Sequence, residues 1–466
     1  MSAGTTVTVS ARGASWSECC TTSRTRSSGA SASAVPWGSY RRPRAPTSCR
    51  RSWRRAEPRL PELPGRSPTP PPRGGAAWCG CTGLGLASDR VRLYRSGPMD
   101  ASADVSNEEL VIHFCGPEDR AEQARLFRAC FAKDLDADGL AWRYDRNPHG
   151  AAISLISRPP GGEGICGYAC SPRLAIPDGL EDHAAAIGQT GDVMTHPDWR
   201  KRGIFSGLDR ACMEEVRRLG WPVTIGLPNR RSAHIFLRLG WERVGIIRPW
   251  TLVLRADRAA RAVRRTDGRL RSALVPLAAL GARSGRRSLR GRARGFEVRP
   301  LERFPKEVAD LSRVVERRHT LMVRRDAAYL DWRFLSNAAG LHRALGVRGI
   351  EGDLAGYAVV QMPREGSAVG YLVDLLAPSE GAAAAALEGG LSLLESAGAS
   401  VVQATAVAGT SWERRLVDAG FRPPRAENHL IVIAMVHRPE HPLARAVRSP
   451  AGWYLTDGDR DDETMG

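Results

Sequence analysis

From residue 118 onward, apolar positions along the chain switch repeatedly between helical spacing and the two-residue alternation of strands. Residues 118–132 read as an amphipathic helix, 150–158 and 164–172 as strands, and 190–195 as a strand running into a loop. A helix is predicted from about Ile204 to Leu219, because Ile204, Leu208, Cys212, Val216 and Leu219 recur on one face, and Gly220 stops it. A strand at 223–227, a helix at about 231–239 and a strand at 250–255 complete the succession. This is the signature of an α/β (α+β) domain whose central sheet is of mixed direction and flanked by helices.

The same succession returns further along. Trp142-Arg143-Tyr144, with Asn147 and Gly150, matches Trp332-Arg333-Phe334, with Asn337 and Gly340. Gly167-Tyr168-Ala169 matches Gly356-Tyr357-Ala358, and Leu239-Gly240-Trp241 matches Ala419-Gly420-Phe421. In each case an apolar strand follows, Trp250 to Leu254 in one and Leu430 to Ile433 in the other, so one fold is duplicated. The halves differ after the third strand. The first has His196-Pro197-Asp198-Trp199-Arg200-Lys201-Arg202-Gly203; the second has only Ala377-Pro378-Ser379-Glu380-Gly381, with no cation. If either half binds a phosphorylated ligand, it is the first.

Charge refines this organisation. Residues 1–98 hold sixteen Arg against four acidic residues and are rich in Pro and Ser, a composition too poor in apolar groups to offset its ordering entropy. They are expected to form a disordered leader, or to be upstream sequence translated before a start at Met99. A second basic run, 255–294, has thirteen Arg and two Asp. These two stretches carry more positive charge than the whole chain's net +18, so the rest is slightly acidic. No basic stripe interleaved with aromatics marks a nucleic-acid surface, and no nucleic-acid partner is expected. The run at 255–294 reads as a solvated linker and leaves open contact with a membrane surface. No stretch reaches the ~18 apolar residues of a membrane span. The cysteines show no metal-binding spacing, so no metal is expected, and Cys115, Cys130, Cys166, Cys170 and Cys212 read as reduced thiols of a cytoplasmic protein.

The chemistry concentrates at 191–209, where a strand meets a cationic, glycine-bearing turn and then a helix. The first turn of that helix leaves N–H groups around 203–206 without intrahelical partners, which suits a phosphate, and Arg200, Lys201 and Arg202 add charge. Gly203 lets the backbone approach the ligand. The run Val193-Met194-Thr195 through Arg200-Lys201-Arg202-Gly203-Ile204-Phe205-Ser206 resembles the diphosphate loop, Arg/Gln-x-x-Gly-x-Gly/Ala, of the GNAT (acyl-CoA N-acyltransferase) superfamily. Phe205 departs from the last motif position. The resemblance continues at Pro228-Asn229 and Leu239-Gly240-Trp241. It covers about residues 108–256, and reaches 296–437 only through the repeat.

The resemblance implies two tandem GNAT-like domains, 99–256 and 296–437, the second lacking the phosphate loop, joined by a basic linker at 257–295 and followed by a C-terminal tail at 438–466. It implies that main-chain groups of Val193, Met194 and Thr195 pair with the pantetheine arm, that Arg200, Lys201, Arg202, Gly203, Ile204, Phe205 and Ser206 hold the diphosphate, and that Asn229 contacts CoA. As a turn residue, Asn229 has a purely structural reading too. The implied reaction is acetyl transfer from acetyl-CoA to a primary amine of a small molecule, amino sugar or peptide, with the acceptor between the halves. Asp192 is the candidate base, against a plain turn role after Gly191. The family's usual acid, a Tyr, is replaced by Phe236, leaving Tyr168, His196 or no side chain for that task. Trp142-Arg143-Tyr144 and its repeat read as shared packing. Two rival readings stay open: an aminoacyl-tRNA-dependent peptidyl transferase of cell-wall type, and a non-catalytic acyl-CoA-binding module. The acceptor's identity, the acyl length, the oligomeric state and the role of 453–459 are not legible.

Overall fold

Helices form where one face can be buried, at the three places in the first half that the spacing predicts and at one, Ala137–Tyr144, that it does not. In the first half these are α1 (Arg120–Cys130), α2 (Ala137–Tyr144), α3 (Ile204–Arg218) and α4 (Arg230–Arg238). Helix α3 buries Ile204, Leu208, Cys212 and Val216 against the sheet, as their spacing predicts. At about 1.5–3 kcal/mol for each large apolar side chain, that face anchors the helix. Leu219, expected on the same face, sits past the last helical residue and is 44% exposed. The strands are β1 (Val91–Tyr94), β2 (Leu110–Phe114), β3 (Ile153–Arg158), β4 (Cys166–Ile176), β5 (Ala185–Thr195), β6 (Val223–Gly226) and β7 (Glu242–Val253). The last begins eight residues before the strand expected from the apolar pattern. The pairing of β1 with β2 brings residues 91–94, expected within a disordered leader, into the sheet.

The second half repeats this order with β8 (Glu297–Leu301), α6 (Val308–Glu316), β9 (Leu321–Val323), β10 (His342–Arg348), β11 (Leu354–Gln361), β12 (Val369–Leu376), α7 (Glu380–Ser396), β13 (Val401–Val407), α8 (Ser411–Asp418) and β14 (Leu430–Val436). Before it comes α5 (Val275–Arg292), and after it β15 (Trp453–Tyr454), which pairs with β9. This computed structural model describes residues 91–94, 110–131, 135–256, 275–336, 340–423 and 429–460, with backbone alone at 91–94 and 275–278. The expected leader up to residue 90 lies outside them, as do most of the residues between β7 and α5. None of the described helices is long and apolar enough to cross a membrane.

One sheet runs through both halves in the order β1-β2-β3-β4-β5-β6-β14-β7-β13-β12-β11-β10-β8. Most pairs are antiparallel; β5–β6 and β12–β13 are parallel. The centre of that order shows an exchange. β14, from the second half, lies between β6 and β7, while the far end of β7 pairs with β13 and bridges Arg422 through Thr251. Each half thus lends a strand to the other. On one face of this sheet, Trp142 and Trp332 stack with centroids 5.0 Å apart. Each indole N–H donates to the other's backbone carbonyl, at 3.1 and 3.0 Å. This reciprocal contact explains why the Trp-Arg motif recurs, and it bears out the packing reading.

The basic stretch before the second half is built into the fold rather than solvated throughout. Helix α5 lies against α7, where Arg286 is buried with Glu388 and Glu395 around it. The C-terminal residues are likewise packed, with Trp453, Tyr454, Leu455, Thr456, Asp457 and Asp459 all buried.

Candidate functional site

Parallel β5 and β6 pair only at Gly188–Thr224, Gln189–Ile225 and Thr190–Gly226. Beyond these pairs the strands part, and residues 191–195 have no strand neighbour on the β6 side among the described residues. The parting coincides with a bulge, since Ala169 pairs with Gly191 whereas Gly167 pairs with Met194. Asp192 sits in the bulge with φ 47°, a conformation unusual outside glycine, though Asp adopts it more readily than most residues. Its carboxylate accepts hydrogen bonds from Arg143 and, at 2.8 Å, from the Tyr144 hydroxyl. The chain on α2 that packing reasoning picked out therefore also braces the bulge. Burial, with the Asp192 charge beside it, pushes the Tyr144 phenol far above its ordinary value, so it stays a donor.

Val193 and Thr195 are half-buried and Met194 is buried on the same strand. A single turn, Pro197–Trp199, then leads to Arg200, Lys201, Arg202 and Gly203, all exposed. Gly203 takes φ 73°, and a Cβ there would meet nothing within 4 Å, so glycine is required by backbone conformation and not by space. Gly203 precedes α3 without a capping side chain, and the N–H groups of Ile204 and Phe205 find no acceptor among the described residues. Ser206 N–H turns back to the Gly203 carbonyl. Arg200 Nε donates to the Thr195 carbonyl at 3.2 Å, and the Arg202 guanidinium lies 4.6 Å from the Trp199 ring centroid. None of the three cations is ion-paired with a carboxylate among the described residues. Unopposed cations, free amides and a positive helix end make this turn a cradle for an anion.

Across the gap, β6 ends at Gly226, and Asn229 caps α4 by accepting from Arg231 N and Ser232 N at 2.9 and 3.0 Å. Its amide nitrogen stays available at the exposed surface. Phe236 is buried among Phe205 and Trp241, with centroids 5.1 and 5.2 Å away. Tyr168 is fully buried, its hydroxyl donating to Asp209 at 2.8 Å, which takes it out of reach of the gap's solvent side. Burial pushes Asp209 up to about 6. His196, half-exposed at the end of β5, accepts through Nδ1 from Asp198 N. Elsewhere His113, Cys115 and Asp119 converge within 4.8 Å. There the Asp119 carboxylate is already held by His113, Gly116 N–H and Arg158, a capping arrangement.

The equivalent place in the second half is built to refuse an anion. Strands β12 and β13 also part after three pairs. Their gap is filled by the chain's own residues, with Asp457 accepting from Thr405 N–H at 2.6 Å and Thr456 Oγ1 donating to Asp374 at 2.8 Å. Arg325, wholly buried, pairs with Asp374 and Asp459 at 3.1 and 2.7 Å. At the start of α7, Ser379 caps Ala382 N–H and Glu380 places a carboxylate in the first turn. These contacts give the 453–459 segment a structural account that its sequence did not supply.

In the first half, then, a strand pair opens at a bulge onto an uncapped, cationic helix start. Residues 112–244 match the model of the acetyltransferase (GNAT) domain. Among solved structures, the chain is similar to a probable N-acyltransferase from Enterococcus faecalis (11% identity, 71% of this chain and 73% of that one, TM-score 0.49). It is also similar to an N-acetyltransferase from Anabaena variabilis (11% identity, 70% and 73%, TM-score 0.49). A third similar structure is a tandem GNAT protein from the clavulanic acid biosynthesis pathway (16% identity, 71% and 99%, TM-score 0.45). No curated protein sequence gives a significant match.

Proposed function

We propose that the chain transfers an acetyl group from acetyl-CoA to the primary amine of a small molecule or peptide, using the first half. The observation that carries this reading is the unopposed anion cradle at Arg200–Ser206 beside residues 193–195, which have no strand neighbour on the β6 side among the described residues. In this reading Gly203, Ile204 and Phe205 present N–H groups to the diphosphate beside the Ser206 hydroxyl, with Arg200, Lys201 and Arg202 supplying charge. Val193, Met194 and Thr195 hold the pantetheine arm as an added strand would, and the Asn229 amide touches the same arm. The amine nitrogen attacks the thioester carbonyl carbon; a C–N bond forms, the C–S bond breaks, and CoA leaves as its thiolate. Asp192 takes the amine proton, its carboxylate fixed by Arg143 and Tyr144. With Phe236 in place of an acid, the thiolate is protonated from solvent. Five free cysteines among the described residues fit a reducing, cytoplasmic setting.

The buried Phe236 also favours a second reading, a module that binds acyl-CoA without turnover. Incubation of the full chain with acetyl-CoA and a panel of primary amines separates the two. Amine-dependent thiol release matched by acetylated product supports transfer. A ligand-induced rise in melting temperature without product supports binding alone, and neither signal sinks both.

A further inference from the structure

The cleft beside Asp192 continues along one face of β4 and β5, past Ala169, Ser171 and Gln189, to Arg173. It is narrow, with about 10 Å³ free, room for one small polar group. Arg173 is only 3% exposed. Its Nε donates to Gln189 Oε1 at 3.0 Å and its Nη1 to the Pro172 carbonyl at 3.4 Å, which leaves Nη2 without a partner among the described residues. No carboxylate among them pairs with it. Its guanidinium lies about equally near the rings of Tyr329 and Trp332, 6.0 and 5.8 Å to the centroids, so water screens it poorly.

An isolated charge held out of water carries an effective penalty of several kcal/mol, which is why buried guanidiniums ordinarily come with a carboxylate. The contrast within this chain is direct: Arg325, buried to the same degree, has two. The unfilled groups around Arg173 are donors too. The His149 ring stacks on Tyr329, accepts at Nδ1 from Leu174 N–H, and so carries its proton on Nε2. That Nε2 and the Tyr329 hydroxyl have no partner. Burial and the nearby Arg173 hold His149 down to about 3, so it adds a donor and no charge.

We infer that Arg173 is the specificity residue for a carboxylate on the acceptor: the amine sits at Asp192, and the acceptor's own carboxylate enters the cleft toward Nη2. The acceptor class is then an amino acid or a short peptide rather than a simple amine or neutral amino sugar. This rests on the transferase reading above. It also explains why the cation sits at the seam, since Tyr329 and Trp332 come from the second half while Gln189 reaches across to the Asp459 carbonyl at 2.7 Å.

The test compares matched acceptors that differ only by the carboxylate, such as β-alanine with ethylamine and phenylalanine with phenethylamine, using the full chain and acetyl-CoA. Wild type is expected to favour the carboxylate member at least tenfold in kcat/KM in at least one pair. Arg173→Met should bring that ratio to about one, and Arg173→Lys should keep part of it. Gln189→Glu, which sets a carboxylate beside the guanidinium, should collapse the ratio without removing Arg173, and so guards against a misfolded Met variant. Transfer without a carboxylate preference, or a preference untouched by both Arg173→Met and Gln189→Glu, overturns this inference alone. Acetyl-CoA binding with no turnover across the panel overturns this inference and favours the binding-only module. An unshifted melting temperature in acetyl-CoA and no transfer overturn the transferase reading as well.

Discussion

A charge placed at residue 203 should repel a diphosphate, whereas a neutral side chain of the same shape should not. Gly203 sits at φ 73° with open space around its missing Cβ, so substitution meets conformational cost and no clash. Asn and Asp tolerate this left-handed region better than other side chains, at a cost of about 0.5–1 kcal/mol that both share. The difference between Gly203→Asp and Gly203→Asn is therefore electrostatic. A carboxylate about 6 Å from each of two phosphate charges, at an effective dielectric of about 40, is disfavoured by about 1.4 kcal/mol per charge. Salt at about 0.15 M reduces the total to roughly 1.5 kcal/mol, or about tenfold in Kd. Isothermal titration with acetyl-CoA measures this directly. In a thermal assay, ligand at about 100 times Kd stabilises wild type by about 2.7 kcal/mol, a shift of about 5 °C in a domain of this size. Glu380→Ala, at the corresponding turn of the second half, should leave that shift intact. Equal affinities for the Asp and Asn variants, or a wild type that acetyl-CoA does not stabilise, would refute the assignment of this loop.

Three further outcomes are expected. Asp192→Asn should lower kcat by at least about 100-fold, the usual scale for a lost general base, with acetyl-CoA affinity unchanged; a fall below threefold in steady-state assays removes Asp192 from proton transfer. Asp209 is raised to about 6 by burial, so between about pH 4 and 6 the unfolded chain gives up a proton that the folded chain keeps. Stability contributed by this group is therefore present at the acid end and lost as pH rises, by about 2–3 kcal/mol, and urea titrations should show that slope missing in Asp209→Asn. Trp332→Ala removes the stacked indole and the bond that it donates across the halves, and should cost about 3–5 kcal/mol in equilibrium unfolding; a loss under about 1 kcal/mol would mean that the contact is incidental.

The elements that sequence periodicity located are those whose one face is buried by local packing. Helix α3 and the turn before it are legible because Ile204, Leu208, Cys212 and Val216 face one core, and because a left-handed position needs a glycine at 203. The duplication is legible for the same reason, since Trp142 and Trp332 must be alike to pair with each other. Pairing between distant strands leaves no periodic trace. Nothing in the apolar run 430–436 distinguishes a neighbour on β13 from one on β6, so the exchange of β7 and β14 could not be read. Arg173 escaped notice because a lone basic residue in a strand is usually a solvated one. Its position two and four residues from Ser171 and Ala169, on a face otherwise buried, was the available signal. The C-terminal acids were conspicuous, but their partners Arg325 and Thr405 lie 134 and 52 residues away from the groups that bind them.

The reciprocal loan of strands sets an order of events during synthesis. β6 emerges from the ribosome about 200 residues ahead of β14, a delay of about 10–40 s at 5–20 residues per second. Through that interval the first half has a bare edge, open to wrong pairing with other nascent chains. The first half is thus made early and finished late, and a chain cut short before residue 430 lacks the strand that completes its sheet.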